Sequence, residues 1–187
     1  MARACDGRGS VTVAFESLGG EQAWSGKMIS VRVERFRHDD GDEVTREVAV
    51  HPGAAVIVAH DGDGVYMVSQ PREVVGEQAL LELPAGKLDE GEEPLATARR
   101  ELAEEIGKAA ESWELLKRCY SSPGFSDETY HLYLATDLSD ASGAAEEEER
   151  ISVEAVPLAS LGEAIDRCRD AKSLVGLLLL QARLRDA

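Results

Sequence analysis

Residues 86–108 read GKLDEGEEPLATARRELAEEIGK. The pattern predicts a helix with marked ends. Acidic residues Asp89, Glu90 and Glu92 precede it, Pro94 suits its first turn, and Gly107 suits its C-terminal stop. Leu95, Ala98, Leu102 and Ile106 recur at helical spacing and form an apolar stripe. Glu101, Glu104 and Glu105 lie together to one side of that stripe. Like charges at i, i+3 and i+4 cost about 0.2–0.5 kcal/mol per pair, in a chain whose formal net charge is already −16. Two readings account for the triplet: a solvated acidic face, or a site for hard divalent cations, which need clustered oxygen ligands.

The surroundings of the triplet make it specific. Gly86 is followed after five residues by Glu92, and after seven more by Arg100-Glu101-Leu102-Ala103-Glu104-Glu105-Ile106-Gly107. This arrangement resembles the Nudix box, the signature of hydrolases acting on nucleoside diphosphates linked to another moiety. Lys108 departs from the pattern at a position where an aliphatic residue is usual. Gly86 permits a tight bend that would turn the Ala85 carbonyl inward beside the helix. Glu101 and Glu105, one turn apart, could then jointly grip one or more Mg²⁺ ions. The resemblance implies metal ligation by Ala85, Glu101 and Glu105. Glu104 would act at the metal, behind it, or as an ion-pair partner of Arg100. Mg²⁺ is the expected cofactor, with Mn²⁺ the alternative ion. In this family Glu92 more often orients the helix than binds metal, and Arg100 could hold the carboxylates in place. Arg99 is expected at the surface.

Working outward, LLELPAG reads as a strand ending in a Pro-Ala-Gly bend, preceded by the loop PREVVGEQA. AAVIVAH (54–60) is a continuous apolar run suited to a buried central strand. DGDG turns it, and VYMVSQ (65–70) is expected to return as its partner. Upstream, VTVAFESL and MISVRVERFRHDDGDEVTREVAV read as strands, the second folded into a hairpin at HDDGDE. Downstream, strands are expected at WELLKRCYS, ETYHLYLATDL and ISVEAVPL, with a polar loop at 139–150 and helices at ASLGEAIDRCRD and SLVGLLLLQARLR. Residues 1–10 are expected to be a disordered tail, residues 11–52 an N-terminal β module, and residues 53–187 the hydrolase domain, with a soft boundary at Pro52-Gly53.

SSPGFSDETYHLYLATDL (121–138) resembles the stretch that follows the box in ADP-ribose pyrophosphatases, with Pro123 sixteen residues past Gly107. LELPAGKLDEGEEPLATARREL and TREVAVHPGAAVIVA look like the same subfamily, so the likeness runs from about Thr45 to DAKSLVGLLLL. It implies a Nudix α/β/α sandwich with a mixed sheet, plus an N-terminal antiparallel module that dimerises. It also implies a mobile loop that delivers a general base, and a second glutamate two residues later that joins the metals. The pattern Glu-x-Glu-x-Ile assigns these to Glu147 and Glu149, with Glu146 and Glu148 the adjacent registers and a plain solvated loop the bland reading. Arg46 and Arg72 match arginines that touch phosphate or ribose in related enzymes. With strands exchanged in a homodimer, Arg46 of the partner subunit would serve each site. Each arginine also has a surface ion pair as its alternative. Phe125 would border the ribose side. Trp24, Met28 and Phe36 are candidates for stacking on adenine, and equally for core or dimer packing.

The whole chain sets the outer limits. At 187 residues it suits one domain with a small appendage. Its 36 acidic against 20 basic residues argue against a general nucleic-acid surface. Cys5, Cys119 and Cys168 are far apart and suggest neither zinc nor a disulfide framework. The N-terminus lacks the apolar run of a signal peptide, and SLVGLLLL is too short to span a bilayer. A cytoplasmic homodimeric enzyme is expected, with no nucleic-acid or membrane partner, hydrolysing the pyrophosphate bond of ADP-ribose to AMP and ribose 5-phosphate. The alternatives are the same chemistry on another nucleoside diphosphate derivative, or a non-catalytic nucleotide sensor. His51 is expected to be a strand-end residue without a catalytic role.

Overall fold

A computed structural model describes residues 14–141 and 150–186. The chain forms two compact units: residues 14–50 with Gly124–Ser126, and residues 51–123 with those from Asp127 onward.

The first unit is an antiparallel meander of β1 (Phe15–Ser25), β2 (Ser30–His38) and β3 (Glu43–Val50). The Asp-rich turn closes as expected: the His38 N–H donates to the Asp42 carbonyl at 2.9 Å, and Gly41 takes the positive φ of 91° that the tight turn needs. β1 runs further than the sequence pattern suggests. It pairs with β2 through Trp24 and Ser25, with register shifts between Ser17 and Gly19 and between Gln22 and Trp24. Ladder bonding and bulges carry a Gly-Gly segment that propensity alone would assign to a loop. Gly124–Ser126 is stitched beside β3, where the Ala49 N–H donates to the Phe125 carbonyl at 2.7 Å.

In the second unit, β4 (Ala54–Ala59) lies inside a four-stranded mixed sheet of order β7-β4-β9-β8, with β7 spanning Ala85–Lys87, β8 Lys108–Tyr120 and β9 Thr129–Asp140. β4 runs parallel to β9 and antiparallel to β7. All six β4 residues are buried, and their alternation divides them between two apolar clusters. Ala54, Val56 and Val58 join Leu132, and Leu177 and Leu180 from α3 (Ala171–Asp186). Ala55, Ile57 and Ala59 join Ala98, Leu102 and Ile106 from α1 (Pro94–Ile106). A strand covered by helices on both faces must be apolar at every position, so the unbroken AAVIVA run follows from the α/β/α layering. A second sheet, antiparallel, has the order β10-β5-β6, with β5 at Gly64–Arg72, β6 at Glu77–Glu82 and β10 at Ser152–Pro157. The short α2 (Leu161–Arg167) precedes α3.

The expected hairpin between residues 54–60 and 65–70 does not form. β4 gives its two edges to β7 and β9, whereas β5 pairs with β10 and β6; a single bridge, His60 to Val65, joins the two at the turn. Local adjacency suggested the hairpin, and long-range pairing took both edges of the central strand instead. The expected loop at 71–79 is mostly strand, interrupted by a short 3₁₀ turn at Glu73–Val75.

α1 begins at Pro94 and stops where Gly107 turns left-handed at φ 65°, its N–H reaching the Ala103 carbonyl at 3.0 Å. β8 starts at the next residue. A methyl group on Gly107 would meet open space, so only backbone strain opposes it. Gly107→Ala should therefore cost about 1–2 kcal/mol, lowering Tm by roughly 2–4 °C per kcal/mol in a chain of this size. Activity should be unchanged, and thermal unfolding with parallel rate measurement checks both halves.

Candidate active site

β7 and α1 build the site together. Gly86, on β7, lies directly beneath the Glu101 side chain: a Cβ placed on Gly86 would stand 1.8 Å from Glu101 Oε1. Only a residue without a side chain lets that carboxylate settle on the strand. One turn along the helix, Glu105 Oε2 accepts the N–H of Ala85 at 2.9 Å. Both carboxylates are largely withdrawn from solvent, with the Glu101 side chain 13% exposed and Glu105 8%. The i, i+4 spacing thus sets two acids against consecutive residues of one strand.

Arg100 binds the acidic group from the helix side. Its Nη1 donates to Glu101 Oε1 at 2.7 Å and to Glu104 Oε2 at 2.9 Å. Its Nε and Nη2 reach Glu92 at 3.3 and 3.2 Å, and Nη2 also reaches the Lys87 carbonyl at 3.4 Å. One planar guanidinium therefore spans three carboxylates and the strand backbone. The hydrogen bonds with Glu92 lead in holding Arg100 protonated well beyond the usual arginine range. In return, Arg100 first, then the Thr97 side chain and the Asp89 N–H, hold the Glu92 carboxyl down to about 2.

This coupling has a signed consequence. A carboxyl whose folded pKa lies below its ordinary 4.5 adds stability above that value, and the contribution disappears as pH falls towards about 2. Arg100→Gln removes the largest cause of the shift. The Tm gap between wild type and Arg100→Gln should be widest near neutral pH and should narrow across that acid window. A gap independent of pH would mean that Arg100 does not hold the Glu92 charge.

The other expected residues are distributed as follows. Glu104 is the most exposed of the triplet and is engaged by Arg100. Arg72 lies against Glu82, with Nη2 and Nε at 2.7 and 2.9 Å from the same oxygen. In the first unit, Arg46 and Phe36 line one groove of about 190 Å³ together with Phe15, His38 and Val44, whereas Trp24 and Met28 are exposed and do not line it. Phe125 belongs to that unit too, with its ring exposed. Glu147 and Glu149, with Glu146 and Glu148, lie outside the described residues. Arg99 rests over the Trp113 ring at 6.0 Å. Lys108 pairs with Asp140 at 2.7 Å at the start of β8, so its charge is accommodated and the helix end is undisturbed. His51 Nδ1 accepts the Gly53 N–H at 3.1 Å, a local turn contact.

The sequence reading passed over Glu82. It is 2% exposed and receives Arg72 and Gln70 on one oxygen and Lys172 on the other. The signal was present: a glutamate within the apolar run LLEL is a charge placed where burial is expected, and such a charge must be paired.

The donor chemistry suits a hard divalent cation. Glu101 and Glu105 offer carboxylate oxygens, the ligand type such a cation takes, beside a strand whose glycine leaves room for them. Among the described residues no three acidic, His or Cys side chains converge in ligating geometry, and Arg100 engages two of the three carboxylates.

Helices on both faces of a mixed sheet, with an arginine-bound glutamate helix set on a glycine strand, define a domain of the Nudix hydrolase class. The chain belongs to the NUDIX family, and the model of the NUDIX domain matches residues 49–175. Members of this family generally use divalent metal ions. Among its relatives, a methanol dehydrogenase activator from Bacillus methanolicus is 38% identical over 86% of this chain and 89% of its own length. An ADP-ribose pyrophosphatase from Bacillus subtilis (strain 168) is 36% identical over 90% of this chain and 93% of its own. A crystal structure of an ADP compounds hydrolase superposes with a TM-score of 0.79 at 23% identity, covering 92% of this chain and 95% of that one, and so shares the fold.

Proposed function

We propose that this chain hydrolyses the pyrophosphate bond of ADP-ribose, or of a closely related nucleoside diphosphate sugar, to AMP and ribose 5-phosphate with Mg²⁺ or, as the alternative, Mn²⁺. The observation that carries the proposal is the seating of Glu101 over Gly86 while Glu105 grips the Ala85 N–H. The name of the Bacillus subtilis relative supports the substrate. Ala85 through its carbonyl, Glu101, Glu105, Glu104 and Glu149 would hold the cations. The bound ions would neutralise diphosphate charge and acidify a water. Glu147 takes the proton of the attacking water, whose oxygen bonds to one phosphorus while the bridging oxygen leaves with the other phosphate. Arg100 keeps Glu101 and Glu104 in place. Arg72 and Arg46 contact phosphate or ribose, and Phe125 borders the ribose.

The first unit is proposed as the homodimer contact, supported by the exposed Phe15, Trp24 and Met28. A cytoplasmic location is proposed with it. Among the described residues no helix is long and apolar enough to cross a membrane.

A panel of nucleotide sugars and dinucleotides, assayed for phosphate release by a coupled phosphatase with and without Mg²⁺, tests the proposal. ADP-ribose should be the best substrate and should require the metal. The name of the Bacillus methanolicus relative favours a second reading, in which a Nudix domain acts on another protein's behalf. Tight ADP-ribose binding without turnover anywhere in the panel would select that reading.

A further inference from the structure

The Ala85–Gly86 strand is not held by its ladder alone. β6 ends at Glu82 in one sheet and β7 begins at Ala85 in the other, so Leu83 and Pro84 carry the chain across. Backbone groups on such a crossing lack regular ladder partners and need others. The Leu83 N–H donates to Ser173 Oγ at 2.7 Å. Pro84 has no N–H, and its carbonyl accepts from Ile57 at 2.8 Å. The Ala85 N–H goes to Glu105. Each of the two N–H groups flanking the proline is therefore captured by a side chain, one from α3 and one from α1.

Ser173 is itself fixed. It is fully buried, and its hydroxyl donates to Asp170 Oδ2 at 2.5 Å, which also accepts the Ser173 N–H at 3.0 Å. Lys172 Nζ bridges the same Asp170 oxygen at 2.8 Å and Glu82 Oε1 at 2.9 Å. Glu82, Lys172, Asp170, Ser173 and Leu83 thus form a closed polar ring beneath the crossing, with Glu82, Leu83 and Ser173 buried and Lys172 and Asp170 partly buried. Such a ring holds one geometry at its buried members, since a slip there leaves the Leu83 N–H or the Glu82 carboxylate unpaired.

We infer that Ser173, seated by Asp170, is a positioning residue that sets the Ala85–Gly86 backbone at the height where Glu101 and Glu105 can share a divalent cation with it. The inference rests on the proposed metal-dependent reading, and its test separates the two. Mn²⁺ binding to the full chain, followed by electron paramagnetic resonance without nucleotide, supplies a readout independent of turnover. Ser173→Ala should weaken Mn²⁺ binding by about 10-fold or more, the scale on which residues behind metal ligands act. Ser173→Thr, which keeps the hydroxyl, should restore it. Ser173→Cys keeps the volume with a poor acceptor and should behave as Ser173→Ala, which covers the case in which the alanine variant does not fold. Leu180→Ala opens a cavity under the same helix and removes none of the polar contacts that hold the crossing, so it should lower Tm and leave Mn²⁺ affinity unchanged. If Ser173→Ala or Ser173→Cys folds and binds Mn²⁺ as wild type does, or loses no more affinity than Leu180→Ala, the inference is overturned. If Glu101→Gln also binds Mn²⁺ normally, the metal-dependent reading itself fails; if only Glu101→Gln loses the ion, the failure is confined to Ser173.

Discussion

Glu101→Gln loses turnover by a factor on the order of 10³ while the chain keeps its fold, the expected result of removing one preorganised charge from a phosphoryl-transfer site. The amide has nearly the shape of the carboxylate and rests over Gly86 as before. Arg100 keeps its contacts with Glu92 and Glu104, and the repulsion among three neighbouring acids falls by one member. Stability should therefore change by about 1 kcal/mol or less. Glu105→Gln should behave alike, because the amide oxygen can still accept the Ala85 N–H. The two variants share a readout that does not depend on rate. A cation bound only by the folded chain raises Tm with its concentration, so Mg²⁺ should stabilise wild type and fail to stabilise either variant. Near-normal turnover in Mg²⁺ by either one would remove the metal assignment, and with it the proposed reaction.

What the sequence reveals of this site depends on how local each determinant is. α1 could be read almost residue by residue, because Pro94, Gly107 and the stripe Ala98, Leu102, Ile106 act within a few turns of one another. The β2–β3 hairpin was legible for the same reason, its turn being written in adjacent residues. The partner of β4 was not. An apolar hexapeptide announces that both faces are covered, yet it carries no mark of which strands take its edges, and those come from Ala85–Lys87 on one side and the distant Tyr130–Ala135 on the other. Polar networks divide along the same line. Arg100 and its glutamates are close in sequence and were recognisable as a group. Glu82 lies about ninety residues from Lys172 and Ser173, and only the packed chain makes them neighbours.

Gly86→Ala should be the sharpest separation of stability from activity in this chain. The added methyl would fall 1.8 Å from Glu101 Oε1, 1.9 Å from its Cδ and 2.4 Å from its Cγ, far inside any tolerable contact. These atoms belong to the end of a flexible side chain, so the glutamate can swing away while β7 keeps its pairing with β4. Gly86 is not among the residues with positive φ, so alanine meets no left-handed strain there. The fold should survive with a loss of about 1–2 kcal/mol, the scale of an inserted methyl that its neighbours can partly accommodate. The displaced carboxylate no longer faces Ala85 and Gly86, so turnover should fall on the order of 10²–10³-fold, as for loss of the charge itself. Gly107→Ala is the converse case: nothing stands within 4 Å of its added methyl, and the penalty is conformational. Paired measurement of Tm and kcat should therefore show a similar, modest stability loss in both variants, with activity lost in Gly86→Ala and kept in Gly107→Ala. Wild-type rates from Gly86→Ala would show that Glu101 does its work from a position other than the one over the glycine.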